Sequence, residues 1–155
     1  LISIISKLKF FFIIFYASSA LCADITKISD IDFGNITASP FGDIIQINAL
    51  SGDSYPFVAS GGYSSVSGGS WGTIRVEPDQ PGQTVNINYP VSFVISKGAD
   101  EMTVSQISIN STQNFITENT DPVDINIGGV LTIKNSQAAG NYSGSAVVNI
   151  IINNP

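Results

Sequence analysis

The sequence predicts an all-β protein, a sandwich rather than a barrel. Three observations carry that expectation. Apolar and polar residues alternate with period two through most of the chain. Clusters of Gly, Asn, Ser and Pro punctuate the alternation, and beyond residue 23 no window offers an apolar stripe at helical spacing.

The first 23 residues read as an address. Lys7 and Lys9 form a positive start, Phe10 to Leu21 is a largely apolar run, and small residues follow to Ala23. That order is the pattern of a secretory signal peptide. The run is too short to cross a bilayer as a helix, which needs about 20 residues. Cleavage after Ala23 puts Leu21 at the −3 position; cleavage after Ala20, with Ser18 at −3, is the alternative. A lipid anchor on Cys22 is disfavoured, because Leu21 stands where such sites carry Gly, Ala or Ser. The expected organisation is therefore a signal peptide over 1–23 and one β-sandwich domain over 24–155. The mature form is expected in the periplasm, on the cell surface or outside the cell, with no membrane span.

The strands are expected in the following order. Short candidates are 31–36, 44–48, 55–59, 72–76 and 103–110. Between the last two of these, Val85, Ile87 and Tyr89 alternate with Thr84, Asn86 and Asn88, and the parity continues past Pro90 into Val91, Phe93 and Ile95. Pro90 lacks an N–H and so marks a bend or an edge position. Val123, Ile125 and Ile127 alternate with Asp124 and Asn126; Leu131 and Ile133 resume the parity after Gly128-Gly129. The glycine pair predicts a bulge or tight bend between two strands. The last stretch puts Tyr142, Gly144, Ala146, Val148, Ile150 and Ile152 on one face. Its other face carries Val147 and Ile151 among Ser and Asn, so this strand is apolar on both sides. Ser60-Gly61-Gly62 and Ser67-Gly68-Gly69 flank Tyr63 to Val66, a short hairpin between turns or a recognition loop carrying Tyr63.

Composition narrows the chemistry. Six Lys+Arg oppose twelve Asp+Glu, and losing Lys7 and Lys9 leaves four basic residues and a net charge of −8. Such a field repels phosphate, so nucleic acid is not an expected partner. There is no His, and Cys22 leaves with the leader. The usual general base, the commonest neutral metal ligand and the thiolate are thus all missing from the mature chain. Lys27, Lys97 and Lys134 lie in no context that activates a serine. Asp100 and Glu101 are adjacent and point to opposite faces of a strand, unlike the paired carboxylates of a glycosidase. Asp30 and Asp32 share a face but read as a solvated strand start. No catalytic, cofactor-binding or metal site is expected. Asn119, Asp121 and Asp124 offer oxygen ligands, yet lack the regular spacing of a calcium loop and read as a capped turn with Pro122. Trp71, with Tyr55, Phe57 and Tyr63, offers rings for stacking a sugar, against the simpler role of an anchor between sheets. The glycosylation-type triplets at Asn35, Asn110 and Asn141 read as chance in an Asn- and Ser-rich chain.

Three motifs stand in order: Asp32-Phe33-Gly34-Asn35-Ile36, then Gly128-Gly129-Val130-Leu131-Thr132-Ile133, then Gln137-Ala138-Ala139-Gly140-Asn141-Tyr142-Ser143-Gly144 running into a Val/Ile strand. Together they resemble the bacterial secreted family known as domain of unknown function 4402, across residues 31 to 153. The resemblance implies an immunoglobulin-like antiparallel β-sandwich related to fimbrial and spore-coat subunits, and it carries over no catalytic residue. Independently of it, Gly140 and Gly144 leave room for Tyr142 to plug the sandwich end with its hydroxyl capping a loop, as in a tyrosine corner. The expected function is non-enzymatic: a surface or fimbria-like subunit acting through protein–protein assembly, with strand donation by Asp24 to Asp30 as one route. The alternative is a surface adhesin or glycan-binding module using the Gly-rich loops, Trp71 and Tyr63.

Overall fold

The computed structural model describes residues 3–17, 23–38, 40–49, 57–60 and 65–155, with backbone alone for 3–17, 38 and 57–60. In chain order the strands are β1 (Ser3–Ala17), β2 (Asp24–Ser29), β3 (Asp32–Ala38), β4 (Asp43–Ile47), β5 (Phe57–Ser60), β6 (Ser65–Ser67) and β7 (Gly72–Glu77). They continue with β8 (Thr84–Asn88), β9 (Ser92–Lys97), β10 (Asp100–Ile109), β11 (Asn114–Ile116), β12 (Val123–Ile133) and β13 (Ser143–Asn153). The described residues contain no helix, as the period-two pattern requires.

The strands form two layers that do not close into a barrel. One runs β2-β7-β12-β10-β9, with β4 and β5 beside the second half of β12. The other runs β11-β8-β13-β1-β3-β6. They meet at one corner, where Ser143 of β13 pairs with Ser96 of β9. Between them lies a single core to which both layers contribute. Ile74, Val76, Ile125, Ile127, Leu131, Met102 and Val104 come from the first; Phe33, Ile36, Val85, Ile87, Val148 and Ile150 come from the second. Burial alternates strictly along β4, β8 and β13; in β8 the polar positions lie outside and the aliphatic ones inside, whereas Asp43 of β4 is buried and Val147 and Ile151 of β13 face outward. At about 25 cal/mol per Å² of apolar surface removed from water, this aliphatic layer is the main favourable term in a domain without a disulfide.

Four expectations are refined. Pro90 does separate two strands, β8 and β9. Gly128-Gly129 does not: β12 runs unbroken through it, changing partner on one edge from β7 to β4 while β10 stays on the other. The glycine is there for close approach, since a Cβ on Gly128 would lie 2.2 Å from the Ile47 carbonyl oxygen. The segment 24–30 supplies β2, which pairs with β7 of its own chain through Asp24↔Glu77 and Ile25↔Val76. Finally, the leader-like segment is itself a strand. β1 lies parallel to β13, from Lys9↔Ser143 to Ala17↔Ile151, and antiparallel to β3. Among the described residues every other strand pair is antiparallel. Hence β13 is not an edge while β1 is in place.

Candidate functional site

The closing motif does build a tyrosine plug. Tyr142 is completely buried, donating its hydroxyl proton to the Ala138 carbonyl at 2.8 Å and accepting from Gln137 Nε2 at 2.8 Å. The ring fills the sandwich end and the hydroxyl ties down the loop before β13. In the first motif, Asp32 accepts from the Gly34 amide at 2.8 Å, and Gly34 sits at φ +76° against the Ser67 carbonyl, where a Cβ would be 2.6 Å away. Both motifs are architectural.

The charged candidates disperse. Asp30 pairs with Lys27 at 3.1 Å, while Asp32 is spent on Gly34, so the two carboxylates do not act together. Asn119 and Asp121 cap one another at 2.7 and 2.9 Å, closing the turn as expected. Asp124 turns instead to Arg75 on the neighbouring strand, in a two-pronged pair at 2.8 and 2.9 Å. The hydrogen bond from Arg75 holds the Asp124 carboxyl below its ordinary pKa, so the pair contributes above the usual carboxylate range and is lost as pH falls through the lowered value. Both partners are exposed, and the net effect is small. Lys97 donates to the Ala139 carbonyl. Asp100, Glu101 and Lys134 line an open polar groove of about 320 Å³ beside the loop that Tyr142 anchors. Among the described residues no three of His, Cys, Asp and Glu stand close enough to hold a metal ion.

Trp71 is half-buried and packs on the core, with its carbonyl accepting from Ser29 Oγ at 3.4 Å. Tyr55 and Tyr63 lie outside the described residues, and Phe57 is described in its backbone only.

Two features emerge only in three dimensions. The first is a buried polar seal at one end of the sandwich. Gln83 takes Thr117 through its backbone, Asp79 N–H through Oε1 at 3.2 Å, and Asn154 through Nε2 at 2.9 Å; both Gln83 and Thr117 are buried. No sequence pattern marks it, because its partners are far apart in the chain. The second is a set of exposed aliphatic residues at outward strand positions: Val94 of β9 and Val147 and Ile151 of β13. These residues are 47%, 41% and 39% exposed, so large aliphatic groups face water on two strands whose other exposed positions are Ser and Asn. The alternation of β13 had already pointed to Val147 and Ile151.

Among the described residues no helix is long and apolar enough to cross a membrane. A family model, domain of unknown function (DUF4402), matches residues 23–152. No curated protein and no solved structure matches the chain.

Proposed function

The chain belongs to the DUF4402 family, and from that premise we propose that it is a non-enzymatic, exported subunit acting through protein–protein assembly at the cell surface, in the manner of fimbrial subunits. The observation that carries this reading is the exposure of Val94, Val147 and Ile151 at outward positions of β9 and β13. Exposed aliphatic side chains on paired strands favour a partner that removes them from water. The leader-like residues 1–23 supply the export signal, and the dispersal of the carboxylates into structural pairs fits a scaffold. A glycan-binding role gains no support from Trp71, whose ring is packed on the core.

The test is the mass of the processed protein, purified from the periplasm and followed by light scattering over a wide concentration range. Concentration-dependent association is expected, and the double variant Val147→Ser, Ile151→Ser should weaken it about tenfold or more, as expected for losing two half-buried aliphatic contacts. A protein that stays monomeric at every concentration, with the variant indistinguishable from it, would overturn the reading.

A further inference from the structure

We propose that removal of the leader opens a strand-accepting slot between β3 and β13, and that this slot receives an extended segment of a different protein with apolar residues at alternate positions and a basic flank. The inference deepens the assembly reading by naming its partner's chemistry. β1 joins these strands through its two successive halves, Ser3 to Lys9 pairing with β3 (Ser3↔Ala38 to Lys9↔Asp32) and Lys9 to Ala17 with β13 (Lys9↔Ser143 to Ala17↔Ile151). On their far edges β13 is held by β8 and β9, and β3 by β6. Cleavage after either Ala20 or Ala23 takes away all of β1. Two strands then lose one whole edge of backbone partners, which is the condition that invites pairing with another chain.

The register defines what fits. Phe12, Ile14 and Tyr16 stand opposite Ala146, Val148 and Ile150, the positions of β13 that line the core. An incoming strand in that register needs apolar side chains at every second residue to close the sandwich. The N-terminal strand of a second copy, the donor considered from the sequence, does not fit. Its mature N-terminus, Asp24 to Ser29, is engaged with β7, and its Ile25 and Ile28 do not alternate. The mature chain carries four basic and twelve acidic residues, and Asp32 lies in register with Lys9, at the start of the half of β1 that pairs with β13. Both features favour a basic flank on the donor.

The test uses the protein exported and processed in a bacterial periplasm, its N-terminus read by mass spectrometry. Amide exchange is measured by NMR with and without a synthetic peptide of Ser3–Ala17 extended by solubilising lysines. In the peptide-free monomer, amides of Asp32–Ala38 and Ser143–Ile151 are expected to exchange fast along the slot. The peptide should slow them by about tenfold when present at ten times its Kd. A peptide with Phe12→Asp and Ile14→Asp should give no protection. An unprocessed N-terminus, a monomer whose slot amides are already protected, or equal protection by both peptides would each overturn the proposal. A dimer protecting its own slot would replace the foreign donor with a second copy, likewise overturning it. Association through Val147 and Ile151 with a closed slot would leave the assembly reading standing while this inference fails.

Discussion

Tyr142 and Gln83 show how single side chains close the two ends of this sandwich. Tyr142 has no exposed surface, and its hydroxyl makes two hydrogen bonds at 2.8 Å to the loop at Gln137 and Ala138. Tyr142→Phe keeps the ring and leaves the Ala138 carbonyl without its donor, which costs about 1–2 kcal/mol. A lowered urea midpoint with an unchanged slope is the expected reading; an unchanged midpoint would show that water replaces the hydroxyl. The role of Tyr142 was legible because its loop partners are within five residues and the glycines around it are diagnostic. That of Gln83 was not. Its side chain is satisfied by Asn154, 71 residues away, and its backbone by Thr117, 34 away, pairings that no local pattern encodes. Asp124 was misgrouped for the same reason: its neighbours in sequence are Asn119 and Asp121, but its partner is Arg75 across the ladder.

At the scale of the strand, period two located most elements to within a few residues, and its failure is informative at β12. Gly128 and Gly129 looked like a break because they interrupt the alternation. In the folded chain, burial is continuous from Ile127 to Ile133 apart from Thr132, so this stretch is covered on both faces and needs no alternation. Opposite it, β10 carries a register shift between Ser105 and Ser108, with Gln106 at φ 49°. The small residue and the bulge let three backbones pass at close range. Gly128→Ala forces its Cβ against the Ile47 carbonyl oxygen, and a destabilisation of about 1–3 kcal/mol is expected by analogy with overpacking in a rigid core. Chemical denaturation checks this, and β4 is the element whose amides should lose protection first. Full stability of the variant would mean that β4 can move aside freely.

For the whole molecule, charge and topology act together. Loss of residues 1–23 would leave the domain at −8, a charge that repels its own copies, so any association between them would come from apolar contact made against that field. Self-association of the processed protein is therefore expected to strengthen as salt shortens the screening length, about 30 Å at 0.01 M and 10 Å at 0.1 M. Light scattering at those two ionic strengths checks it, and weakening with salt would reveal attractive ion pairs across the interface instead. Composition and alternation determined the all-β class and the inward-facing residues of β8 and β13, while the ordered motifs carried the tyrosine plug and the resemblance to the family. All of these rest on neighbours along the chain, on residue type or on ordered motifs. Only the tertiary structure decided which strands pair, that β2 is already taken by β7, and that the leader-like segment lies between β3 and β13. Strand pairing is a relation between backbones distant in sequence, and every strand offers the same N–H and C=O groups, so its choice is made by the packing of the entire core.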